Sequence, residues 1–185
     1  MKRFRASMTQ LGKFALVGGI GVIVNQTIFV LANIVGRDLL GVRDRGVLFP
    51  IPFTEFNIRN YHLYMLLGFL VANLGNFLLN RAWTFKSDKH ASFWREYLPF
   101  LAVGLAAQVV GFLLMTLLMN PTSPLCLPDA IFDDSSGLRT KSYWANLIVI
   151  VCVTPVNFLL NKVWTFRAIR SKGDNPEEAV DSPLE

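Results

Sequence analysis

The sequence predicts an all-α membrane protein: four transmembrane helices forming two parallel-repeat helical hairpins, with both termini cytoplasmic. Three features point there. Four stretches lack Asp, Glu, Lys and Arg, one helix ending is written twice, and the basic residues gather on one side of the implied topology. Composition agrees. The 185 residues are 52% hydrophobic and only 17% charged, with a mean hydropathy of +0.41. Soluble domains carry roughly 25% charged residues. Such a balance excludes a disordered chain and a disulfide scaffold, and it indicates lipid as the solvent.

The charge-free stretches are Phe14–Gly36, Leu63–Asn80, Tyr97–Met119 and Tyr143–Asn161, of 18 to 23 residues each. Crossing a hydrocarbon core of ~30 Å takes about 20 residues at ~1.5 Å per residue. The expected organisation starts with a basic cytoplasmic N-terminus, 1–13. A first hairpin covers 14–85, with spans at about 14–36 and 63–82 and a long outer loop 37–62. A cytoplasmic loop 86–96 leads to a second hairpin, 97–167, with spans at about 97–119 and 143–163. The polar, acidic stretch 168–185 reads as a disordered cytoplasmic tail. With both termini inside, inner segments hold 12 Lys and Arg and outer loops 6, as the positive-inside rule requires. Trp83, Trp94, Trp144 and Trp164 all fall at expected interfaces. Cys126 and Cys152 lie at different depths and match no zinc spacing.

The repeat is the most specific feature. Asn76-Phe-Leu-Leu-Asn80-Arg81-Ala-Trp83-Thr-Phe-Lys86 returns 81 residues later as Asn157-Phe-Leu-Leu-Asn161-Lys162-Val-Trp164-Thr-Phe-Arg167. The odd helices share a weaker echo, Phe14-x-x-Val17-Gly18 and Phe100-x-x-Val103-Gly104. A unit with two spans ends on the side where it began. The copies are therefore expected to share one orientation about an axis along the membrane normal. Small pairs four apart, Ala15 and Gly19, Gly68 and Ala72, Ala107 and Gly111, suit close helix contact.

Asn76 and Asn80 share a helix face, with Asn73 on it and Trp83 extending it; Asn157, Asn161 and Trp164 repeat the pattern. Asn25, Gln108 and Asn146 add further amides within the spans. An unsatisfied amide in hydrocarbon costs several kcal/mol, so these groups face protein or a wet cavity. Two readings follow. The amides bond between helices while Arg81 and Lys162 snorkel to headgroups; or amides and cations form a polar groove for an anionic lipid headgroup, with Arg gripping a phosphate bidentately.

The Phe-x-x-Val-Gly opening and the doubled Asn-Phe-x-x-Asn-Arg/Lys-x-Trp-Thr-Phe ending resemble the GtrA-like family of small four-helix membrane proteins, over about Phe14 to Phe166. The resemblance implies a role in cell-surface polysaccharide synthesis. It further implies flipping of a polyprenyl-phosphate-linked sugar, such as undecaprenyl-phosphate glucose, across the bacterial plasma membrane, beside a glycosyltransferase of the same pathway. The substrate-binding set expected on this basis is Arg81, Lys162, Asn76, Asn80, Asn157, Asn161, Asn25, Gln108, Trp83 and Trp164. Phosphate would meet the cations, and sugar hydroxyls the amides. No Walker A loop and no acidic residue within the spans offers energy coupling, so passive exchange is expected. A homo-oligomer is expected from the thin four-helix wall. No cofactor, metal or nucleic acid is expected, and no nucleophile–base set suggests an enzyme. A membrane scaffold recruiting a glycosyltransferase is the alternative; a multidrug-type exporter lacks its membrane carboxylate.

Overall fold

The structure is a computed structural model that describes residues 2–54, 56–84 and 93–173, with side chains over 16–54, 56–83 and 93–157. Four helices dominate: α1 Lys2–Leu39, α2 Asn60–Leu79, α3 Phe93–Met119 and α4 Lys141–Gly173. Three long apolar segments among the described residues are long enough to cross a membrane: Leu16–Leu39, Asn60–Trp83 and Phe93–Met119. The fourth charge-free stretch lies on α4, whose 33 residues reach about 50 Å at ~1.5 Å per residue. α1 packs chiefly along α2, and α3 along α4; contacts of α1 with α4 and of α2 with α3 complete the bundle.

The helices extend past the charge-free stretches. α1 takes in the basic N-terminal residues from Lys2, and α4 runs on to Gly173, into the polar stretch 168–185. Stopping at the lipid boundary would orphan a turn of backbone groups, and the Lys, Arg, Leu and Ala there are good helix formers.

The outer loop 37–62 contains a short antiparallel ribbon that the sequence reading did not anticipate. β1, Val47–Pro50, pairs with β2, Asn57–Arg59, with a register shift between Val47 and Phe49. Every residue of β1 is exposed, so neither face is buried and the usual alternating signal is missing. The turn closes with Ile51 N–H on the Phe56 carbonyl at 3.1 Å. Phe53 sits there at φ 63°, a left-handed conformation uncommon for a bulky residue.

Ion pairs fix where α4 begins. The Lys141 backbone N–H donates to Asp134 Oδ1 at 2.8 Å, and Asp134 Oδ2 accepts from Arg45 of the first outer loop at 2.6 Å. The Lys141 ammonium is buried, donating to Asp129 at 2.8 Å and to Cys126 Sγ at 3.2 Å. Burial pulls its pKa down, but these partners more than offset that and raise it above the usual lysine value; Asp129, bonded to Lys141, is held below the usual carboxylate value. Nearby, His62 Nδ1 accepts from the Arg59 backbone N–H, so its Nε2–H donates to Thr116 on α3 at 3.0 Å.

The apolar core sits toward this end of the bundle. Phe29, Tyr64, Met65, Met115, Ala145 and Val149 bring all four helices together there, with Phe29, Met115 and Ala145 fully enclosed. The other half, toward the α2–α3 connection, is packed differently.

Candidate substrate cavity

In that half the helices enclose a cavity of about 500 Å3. Its volume falls in the range of small-molecule sites, ~300–1,000 Å3. Met65 and Val149 of the core floor it, and residues from all four helices line it. Seven carboxamides border it: Asn25, Asn73, Asn76, Asn80, Gln108, Asn146 and Asn157. Thr154 adds a side-chain hydroxyl to the wall, and none of the described lining residues is charged. From Asn146 to Asn157 the wall of α4 spans eleven residue steps, about 16 Å.

Sequence spacing explains the convergence. Asn73, Asn76 and Asn80 follow one another at three and four residues, so α2 presents them on one face. Glycines opposite make room. Asn76's amide occupies the space a Cβ on Gly21 would need. A Cβ on Gly68 would lie 2.8 Å from Asn25 Oδ1, and one on Gly104 2.8 Å from Asn73 Nδ2. These glycines, of which Gly68 alone reads from sequence as a helix-packing residue, are what lets polar side chains stand between backbones.

The amides satisfy one another only in part. Asn73 Oδ1, Asn80 Oδ1, Asn146 Oδ1 and Gln108 Nε2 are buried without a hydrogen-bond partner in the structure. Each costs about 1–3 kcal/mol if nothing pairs with it. Buried polar groups in native proteins are rarely orphaned, so four around one cavity indicate that water or a polar ligand completes them.

Two helix irregularities lie on the wall. Past Asn80 the backbone winds into a π turn, Asn80–Thr84. Such turns are rare and recur at functional sites. On α4, Pro155 supplies no N–H to the preceding turn, and Thr154 Oγ1 donates to the Ile150 carbonyl at 2.7 Å.

Among the expected site residues, the cavity brings together Asn25, Asn76, Asn80, Gln108 and Asn157. Arg81 and Trp83 do not line it. The π turn interrupts the α-helical spacing that would carry Trp83 on the Asn80 face, and Trp83 is 41% exposed. Arg81 Nε stands 3.4 Å from Glu96 Oε2, with its guanidinium 5.9 Å from the Phe93 ring centroid. The side chains of Asn161, Lys162 and Trp164 lie outside the described residues, as do the segments 85–92 and 174–185.

Asn73 and Asn146 were legible as amides in a span but not as members of the expected site. Gln26 was missed altogether, although a Gln beside Asn25 in an uncharged stretch is a signal worth reading. It donates to the Tyr143 carbonyl at 3.0 Å and accepts from Asn146 Nδ2 at 2.8 Å, tying α1 to α4.

No curated protein and no solved structure matches the chain. A family model described as GtrA/DPMS, transmembrane domain, matches residues 13–166. The chain therefore belongs to that family of multi-pass membrane proteins, which are generally non-catalytic and whose membership implies a role in cell-surface polysaccharide synthesis.

Proposed function

We propose that the protein flips a polyprenyl-phosphate-linked sugar across the bacterial plasma membrane, for cell-surface polysaccharide synthesis or glycosylation. The observation that supports this most is the uncharged, amide-lined cavity with its four unpartnered polar atoms. Carboxamides donate and accept, as sugar hydroxyls do, and they replace hydration that a sugar would lose in hydrocarbon.

In this reading the sugar occupies the cavity while the polyprenyl tail stays in lipid. The phosphate stays outside the uncharged chamber, at its mouth. There Arg81 exchanges Glu96 for phosphate oxygens, a pairing suited to a guanidinium. Lys162 is its counterpart from the second copy of the motif, with Asn161, Trp83 and Trp164 completing the mouth. Asn25 and Gln108 provide contacts deeper in. Transport is passive and bidirectional, driven by consumption of the sugar outside by a partner glycosyltransferase, and a homo-oligomer thickens the four-helix wall.

The test is reconstitution in liposomes with labelled polyprenyl-phosphate sugar, following its access to an impermeant outside reagent. Wild-type protein should exchange the lipid faster than empty liposomes, and Arg81→Ala combined with Lys162→Ala should slow it at least tenfold. Exchange no faster than in empty liposomes would sink the proposal. Exchange untouched by the double substitution would remove the two cations from it.

A further inference from the structure

The deep end of the cavity has a fixed hydrogen-bonding polarity. Asn146 is fully buried, and its side chain lines the cavity. An amide's oxygen and nitrogen are interchangeable in shape, so its orientation must follow from its neighbours. Here the neighbours decide it. The Tyr143 backbone carbonyl can only accept, so the Gln26 atom 3.0 Å from it is the nitrogen. Gln26 Oε1 then faces Asn146, and the Asn146 atom 2.8 Å away must be the donor nitrogen. Asn25 Oδ1, 3.5 Å from the same nitrogen, is a weaker second acceptor. What remains is Asn146 Oδ1, buried, unpartnered and unable to turn without breaking the chain.

We infer that Asn146 is a specificity-determining residue that accepts a hydrogen bond from a hydroxyl of the substrate's sugar, and that Gln26 is the positioning residue that fixes it as an acceptor. This deepens the translocation reading. A phosphate oxygen, an acceptor itself, gains nothing at Asn146 Oδ1 and is repelled by its partial charge. A hydroxyl gains a bond and satisfies a buried group. The chamber therefore selects the neutral, hydroxyl-bearing part of the lipid headgroup for its deep end and leaves the phosphate nearer the mouth. A sugar lacking that one hydroxyl leaves Asn146 Oδ1 orphaned, which is where polar sites discriminate most strongly.

The test uses the full chain in lipid nanodiscs, free of sugar detergent. The probes are octyl β-D-glucopyranoside and the series in which each hydroxyl in turn is replaced by fluorine, which keeps size but cannot donate. Wild-type protein should bind one member of the series about 5- to 10-fold more weakly than the parent, the loss corresponding to one buried hydrogen bond. Asn146→Leu should bind that member and the parent alike. Gln26→Leu, which frees the Asn146 amide to turn, should remove most of the difference. Gln26→Glu, whose carboxyl oxygen still accepts from Asn146 Nδ2, should retain it. Thermal melting of each variant separates loss of fold from loss of selectivity, and the ratio of two probes cancels any general weakening. Failure of the parent glucoside to bind wild type, equal binding across the series, or a penalty that survives Asn146→Leu would each overturn the inference. Lipid exchange in liposomes that persists alongside such a result would leave translocation standing and sink only the Asn146 assignment.

Discussion

Gly68 is where α1 and α2 come too close for any other residue. A Cβ there would lie 2.7 Å from the Asn25 backbone oxygen and 2.8 Å from its side-chain oxygen. A side-chain tip could move aside, but a helix carbonyl cannot. Gly68→Ala is therefore expected to destabilise the protein by about 1–3 kcal/mol, the usual cost of overpacking, and to push Asn25 from the cavity wall. Gly75→Ala, with nothing within 4 Å of the added carbon, serves as the control and should be neutral or slightly stabilising. Thermal unfolding in one detergent compares the two; equal midpoints would refute the steric account. Part of this was legible in the sequence. Gly68 and Ala72 stand four apart, a spacing suited to close helix contact. What they approach was not, because that depends on which helix lies opposite and at what height.

Elements are held in register by the outer loops more than the sequence suggested. Asp134 joins the first outer loop, through Arg45, to the start of α4, and Asp129 holds the buried Lys141 ammonium. These contacts pair residues 89 and 12 positions apart, separations that no periodicity reveals. The ribbon β1–β2 was hidden for a related reason: its strands are short and bury neither face, so period-two patterning had nothing to act on. The helices themselves were readable, since each charge-free stretch had to find its backbone partners internally. A pH dependence follows from the anchor. The Asp129 carboxyl titrates below its ordinary value because Lys141 bonds it; Ser135 bonds Asp133 and lowers it likewise. Groups depressed in the folded state contribute stability above their unfolded pKa and lose it as pH falls through the folded one. Lys141, raised in the folded state, contributes below its ordinary value and loses that only as pH rises past it. The anchor should thus hold across the neutral range and loosen below about pH 4. Amide protection over 129–145, taken relative to intrinsic exchange at each pH, should fall there, while that of the α2–α3 helices changes little. Asp129→Asn should lower it already at neutral pH. Protection in this segment that is flat from pH 7 to 3 would contradict the account.

For the whole molecule, the question is which leaflet the cavity faces. The chamber lies in the half of the bundle nearer the α2–α3 connection, below a core that closes the half nearer the outer loops. A lipid can therefore reach the amides more directly from the first side than from the second. The excess of Lys and Arg on that side, 12 against 6, makes it the expected cytoplasmic side, and under the proposed translocation that is where the lipid-linked sugar enters. Under the proposed translocation the asymmetry has a functional sense: the structure is open to cargo from the expected inside, and the core of Phe29, Met115 and Val149 would part to release it outside. Orientation is thus the assumption on which the direction of loading depends, and it can be checked without any substrate. In a chain with Cys126→Ser and Cys152→Ser, a cysteine placed by Ser135→Cys in the exposed second outer loop should react with an impermeant thiol reagent applied to intact cells. One placed by Ser171→Cys, beyond the fourth charge-free stretch, should react only after the membrane is opened. The opposite pattern would turn the cavity outward, and the protein would then be built to receive lipid-linked sugar from the far leaflet. Labelling of Ser135→Cys and Ser171→Cys from the same side would mean that α4 does not cross, and with a cysteine at His90→Cys, between α2 and α3, labelling from the other side the crossings would number three, which breaks the paired-hairpin arrangement; His90→Cys is expected instead to label with Ser171→Cys.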